Sequence, residues 1–101
     1  MAEVRPLNLR YSARARSQLI SIGDYIRDEA GEEVALRVGQ RIREAADLLR
    51  YFPHAGRLGR VSGTREWVVR HTPYVIVYEL YPANLAEIMV LGVFHCRQER
   101  P

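Results

Sequence analysis

Hydrophobic residues change their spacing halfway along this chain of 101 residues, and the change restricts the folds open to it. Between Ala15 and Phe52 they recur every three or four positions, which lines one face of a helix. Between Trp67 and Phe94 they run in short blocks rich in valine, isoleucine and tyrosine, which fit a pleated surface. Helices gathered in one half and strands in the other make an α+β domain. The length leaves room for one core, so residues 1–101 read as a single domain.

Residue chemistry bounds the elements. Leu7, Leu9 and Tyr11 alternate with Asn8 and Arg10, the period of a half-buried strand. Ser12 is a suitable N-cap, and Ala15, Leu19, Ile22 and Ile26 form the stripe of a first helix, which Gly31 breaks. A second helix starts near Glu32, where Glu32 and Glu33 suit the positive end of its dipole. Val34, Val38, Ile42, Ala45, Leu49 and Phe52 form its stripe, and Pro53 with Gly56 stops it. One short connection makes the two helices an antiparallel hairpin. The acidic residues Asp24, Asp28, Glu29, Glu32 and Glu33 at its tip read as a solvated turn. Arg65–Arg70, Tyr74–Leu80 and Glu87–Phe94 then read as strands, separated by turns at Thr72-Pro73 and Tyr81-Pro-Ala-Asn84. The order is β-α-α-β-β-β, with the helical hairpin packed on one face of an antiparallel sheet.

A sheet covered on one side alternates apolar with polar residues, and this one does not. Tyr74, Ile76 and Tyr78 fall on one face of their strand, and Val75 and Val77 on the other. In the last strand Ile88, Val90 and Phe94 oppose Met89, Leu91 and Val93. Two helices cover one face only. Either the N-terminal strand and loops shield the rest, or a partner polypeptide fills an apolar groove as an amphipathic helix or an added strand.

Charge and composition narrow the chemistry. All fifteen basic residues are arginine, each a planar bidentate donor. Arg57, Arg60, Arg65 and Arg70 stand against Glu66 alone, a local excess that suits an acidic partner segment but not nonspecific nucleic-acid coating. No apolar run approaches the ~20 residues a membrane helix needs, and Met1-Ala-Glu-Val-Arg5 lacks a signal-peptide core. The lone Cys96 excludes an internal disulfide framework, so a reducing cytoplasm is the expected location. No Cys/His spacing calls for a metal, and no glycine-rich loop follows a strand to take a cofactor phosphate. His95 beside Arg97 is the most suggestive acid–cation pair, but a histidine alone does not define a catalytic site, and none is assigned. His71 reads as a surface turn residue and His54 as a cap to the second helix, while Cys96 reads as a partly buried, inert thiol. Trp67 fits either an interface anchor or the core.

Six stretches carry a family resemblance, in order along the chain. They are Leu9-Arg-Tyr-Ser-Ala-Arg-Ala15, Asp24-Tyr-Ile26, Phe52-Pro-His-Ala-Gly-Arg57, Thr64-Arg-Glu-Trp-Val-Val69, Pro73-Tyr-Val-Ile-Val-Tyr-Glu79 and Val90-Leu-Gly-Val-Phe-His-Cys-Arg-Gln98. Together they resemble the ParE/RelE superfamily of toxins from type II toxin–antitoxin systems. RelE-like members cut messenger RNA in the ribosome, whereas ParE-like members are similar to inhibitors of DNA gyrase. RNA cleavage needs a base, an acid and cations converging on the phosphorane. RelE-like toxins carry an arginine where this chain has Val75, a basic cluster where it has Arg50-Tyr-Phe-Pro-His54, and a C-terminal tyrosine that Gln98-Glu-Arg-Pro101 lacks. These departures resemble the ParE branch.

The resemblance implies a non-catalytic, cytoplasmic toxin, of the kind associated with plasmid stabilisation, bound by a ParD-like antitoxin. Arg57, Arg65 and Arg70 would pair with the antitoxin's acids, and Trp67, Tyr74, Val75, Val77, Met89 and Leu91 would receive its apolar anchors. The tail resembles the part of ParE toxins associated with toxicity, which implies that His95, Arg97 and Arg100 engage gyrase. Direct sequence-specific DNA binding by the toxin alone is not expected. A ribosome-dependent nuclease of RelE type, or a non-toxic module that only occupies an antitoxin, are the alternatives.

Overall fold

A computed structural model describes residues 5–81 and 87–101. The turn expected at Tyr81-Pro-Ala-Asn84 lies, beyond Tyr81, outside the described residues. The elements are β1 (Asn8–Tyr11), α1 (Ala13–Ala30), α2 (Glu32–Leu49), β2 (Arg57–Leu58), β3 (Thr64–Val68), β4 (Tyr74–Leu80) and β5 (Glu87–His95). The expected order holds, with the two-residue strand β2 added ahead of β3. The helices form a hairpin that packs on one face of a five-stranded sheet ordered β1-β5-β4-β3-β2. β2 through β5 are antiparallel neighbours, while β1 lies parallel to β5 and makes the sheet mixed.

The local signals act as their chemistry dictates. Ser12 Oγ accepts the Ala15 N–H at 3.0 Å and donates to the Leu91 carbonyl at 2.9 Å, so one hydroxyl caps α1 and ties its start to β5. Gly31 joins the helices at φ 95°, a backbone conformation that favours glycine. Arg27 bridges Asp24 and, across the hairpin tip, Glu32. α2 ends at Leu49, one turn earlier than its stripe implied, so Phe52 lies past the helix and is 60% exposed rather than in the core.

The core gathers Ala15, Ile42, Ala46 and Leu49 of the helices against Tyr78, Ile76, Ile88, Val90 and Val93 of the sheet. Trp67 packs against this cluster, partly buried. The buried Tyr78 fastens the loop after α2 to β4, because its hydroxyl donates to the Pro53 carbonyl at 2.8 Å and accepts the Gly56 N–H at 2.9 Å.

One register irregularity reassigns the faces of β5. Val77 pairs with Gly92 and Tyr78 with Val90, so Leu91 is an extra residue with no partner across β4. A bulge of this kind reverses the alternation beyond it. Ile88 and Val90 point to the helices with Ile76 and Tyr78, but after the bulge Val93 takes that side, and Phe94 pairs with Val75 on the far face. The grouping of Phe94 with Ile88 and Val90 is thereby corrected.

Candidate functional site

The far face of the sheet is not the open groove that its apolar residues implied. Val75 and Val77 are 1% and 2% exposed, and Phe94 is buried beside them. The C-terminal tail turns back over this face. Gln98 N–H donates to the His95 carbonyl at 2.9 Å, and Cys96 N–H donates to the Pro73 carbonyl at 2.6 Å. Beyond this turn Arg100 reaches Glu66 at 2.9 Å, with side chains 10% and 4% exposed, while the largely exposed Arg57 binds the same carboxylate oxygen at 3.0 Å. Burial alone would raise the Glu66 carboxyl, but the hydrogen bonds from Arg100 and Arg57 prevail and hold it below the ordinary carboxylate value. Arg100 Nε is buried without a hydrogen-bond partner among the described residues, so the contact carries a desolvation penalty along with its ion pair. A small recess of about 170 Å³ lies there, lined by Phe94, Val77, Leu91 and Pro101 together with Arg14 and Glu79.

A much larger opening, about 770 Å³, lies on the helix side, where the hairpin does not fully cover the sheet. α1 contributes Arg14, Gln18, Ile22, Tyr25, Ile26 and Glu29, which follow one helical face, with Ser17 and Ser21 along the rim. Val34 and Val38 of α2 form one wall, and Tyr74, Val93 and His95 form the floor. β5 is held alongside α1, because the Val93 N–H donates to Gln18 Oε1 at 2.8 Å. Gly92 permits this approach. A methyl at its Cα would stand 2.5 Å from the Phe94 ring and 2.9 Å from Gln18 Oε1. Tyr74 and His95 pack edge to face at 5.8 Å, and burial followed by the neighbouring Tyr25 raises the Tyr74 hydroxyl above its usual range.

Of the residues expected to receive an antitoxin, Tyr74 alone lines this groove. Val77 and Leu91 line the small recess, and Val75 is fully buried. Met89 is half-buried and faces Glu79 across the strand pair. Arg57 is engaged with Glu66, Arg65 donates to the Gly56 carbonyl at 2.7 Å, and Arg70 is exposed on the turn before β4. Sequence reasoning missed the helix-side contributors Ile22, Tyr25, Val34 and Val38. Tyr25 carried the one available signal, a large aromatic residue set beside the apolar stripe of α1.

The tail residues separate as well. His95 lines the groove, and its Nδ1 accepts the Arg97 N–H at 3.2 Å. Arg97 is exposed, and Arg100 is turned inward to Glu66. Cys96 is exposed rather than partly buried, because it follows the end of β5 in the turn. His71 is exposed at φ 62° in the turn before β4, and the His54 carbonyl accepts from Arg65. Among the described residues no cluster of three or more metal-ligating side chains occurs, and no helix is long and apolar enough to cross a membrane.

The comparisons with known proteins are consistent over nearly the whole length. Residues 9–100 match the family described as ParE toxin of type II toxin-antitoxin system, parDE. A curated protein of Sinorhizobium fredii (strain NBRC 101917 / NGR234), "Putative toxin Y4kP", is 37% identical over 93 residues, 92% of each chain. A structure described as a chromosomal ParDE TA system from P. aeruginosa superposes with a TM-score of 0.80 at 25% identity, covering 88% of this chain and 95% of that one. In fold the chain is also similar to a toxin–antitoxin complex RelBE2 from Mycobacterium tuberculosis (TM-score 0.65, 21% identity, 90% and 99% covered). The isolated E. coli RelE toxin is more distant (TM-score 0.52, 18% identity, 94% and 87% covered). The chain belongs to the ParE toxin family of type II toxin–antitoxin systems.

Proposed function

We propose that this toxin acts by binding rather than by catalysis, and that a ParD-like antitoxin neutralises it by laying an apolar segment in the helix-side groove. The observation that carries the antitoxin reading is the groove itself, an opening of about 770 Å³ floored by Val93 and Tyr74 and flanked by Ile22, Tyr25, Val34 and Val38. A mostly apolar opening with a few polar groups at its rim supports a binding role. The similar structure from P. aeruginosa is described as a ParDE system, which supports a protein occupant.

The non-catalytic reading draws on the far face of the sheet. Its centre is filled by Val75, Val77 and Phe94, and its buried carboxylate, Glu66, is already engaged by two arginines. Both arginines keep Glu66 from serving as a free base, and among the described residues lining the recess beside it there is no histidine. The target is DNA gyrase, met by the tail, with His95 and Arg97 presented and Arg100 holding the segment in place through Glu66. Purified protein added to gyrase and relaxed plasmid is expected to suppress supercoiling, while total RNA from arrested cells stays intact. Cleaved transcripts with normal plasmid topology would overturn the proposed target and the non-catalytic reading together.

A further inference from the structure

The groove has an electrical direction as well as an apolar floor. Its α1 side runs from Arg14 to Glu29, fifteen residues apart, roughly 22 Å at 1.5 Å per residue. Among the described residues neither end has an ion-pair partner, whereas Arg27 and Arg50 on the same hairpin do. Arg14 stands where the groove meets the far-face recess: it lines both, and its guanidinium is held over the Phe94 ring at 5.2 Å without occupying its N–H donors. The backbone reinforces the Arg14 pole, because the first turn of α1 contains no acid to offset the positive end of its dipole. Between the poles the lining is apolar or uncharged, from Gln18 and Val93 to Ile22, Tyr74 and Tyr25.

From this geometry we infer that the groove selects an amphipathic helix of about four turns that sets an acidic side chain against Arg14 and a basic one against Glu29. The inference rests on the antitoxin reading above and specifies the chemistry of the segment that docks. An apolar stripe supplies affinity, and the two end charges set register and exclude segments of the wrong polarity. Both charges stand at the open ends, so the expected effects are those of partly solvated pairs.

The test uses synthetic helical peptides with one shared apolar stripe and three end patterns: acid with base, acid with acid, and base with base. In fluorescence anisotropy against the intact protein, the mixed peptide is expected to bind about tenfold more tightly than either like-charged one. Glu29→Arg is expected to shift the preference to the acid–acid peptide, and Arg14→Glu to the base–base peptide. Equal affinity for all three, or preferences unmoved by both variants, overturns the inference. Ser21→Trp, at an exposed rim position, fills the groove without disturbing the core and is expected to abolish peptide binding. The protein encoded in the adjacent reading frame is titrated in parallel. If Ser21→Trp blocks it but the charge variants do not, the antitoxin reading stands and the polarity falls. If it binds Ser21→Trp as well as the parent, the groove reading itself fails.

Discussion

Removing the Arg100 side chain tests whether the tail is fastened to the sheet or merely lies on it. In the intact protein Arg100 donates a charge-assisted hydrogen bond at 2.9 Å to a carboxylate only 4% exposed. A hydrogen bond to a charged group contributes about 1.5–3 kcal/mol. The buried, unpartnered Arg100 Nε offsets part of that, by about 1 kcal/mol. Arg57 remains on Glu66 in the variant, so the carboxylate is not stranded. Arg100→Ala should therefore cost about 1–2 kcal/mol, which for a domain of this length lowers the melting temperature by roughly 4–16 °C. Because the pair is largely withdrawn from water, moderate salt should change the difference little. Arg97→Ala is the control, since Arg97 is exposed and lies in the same tail, and it should stay within about 0.5 kcal/mol of the parent. The two variants are compared by calorimetry, with carboxypeptidase digestion reporting release of the tail. Equal melting temperatures and equal digestion rates for both would refute the claim that the Glu66 contact holds the tail down.

Acidification should release the same contact, because a carboxyl held below its ordinary value stabilises the fold above the unfolded value of about 4.3 and stops doing so as pH falls through the folded one. Urea melts between pH 6 and pH 3 should show a smaller loss in Glu66→Gln than in the parent. Tyr78→Phe should cost about 1–3 kcal/mol, because it leaves the Pro53 carbonyl and Gly56 N–H without their buried partner, and chemical denaturation measures it. Gly92→Ala should destabilise by about 1–3 kcal/mol and loosen the Gln18 to Val93 hydrogen bond, seen as faster exchange of the Val93 amide.

Much of the fold was legible because its signals are local. The Ser12 cap, the Gly31 break, the α1 stripe and the meander of β3, β4 and β5 each depend on residues a few positions apart. Five of the six family stretches lie on or beside these elements, and the sixth, Phe52–Arg57, is the loop that follows α2. The end of α2 was misjudged because an apolar Phe52 continues the stripe in sequence after the helix has stopped in space.

The candidate site was less legible, for a physical reason. Sequence established that both faces of the late strands are apolar, and hence that more than the two helices must cover them. It could not say what does the covering, because that depends on contacts between distant positions. The unpaired Leu91 reverses the remainder of β5 and sends Phe94 to the far face. Arg100 crosses 34 positions to reach Glu66 and turns the tail into part of that cover. With the centre of the far face filled by the chain's own residues, the larger opening lies between α1 and the sheet, set by how far apart packing holds two elements that periodicity describes only one at a time.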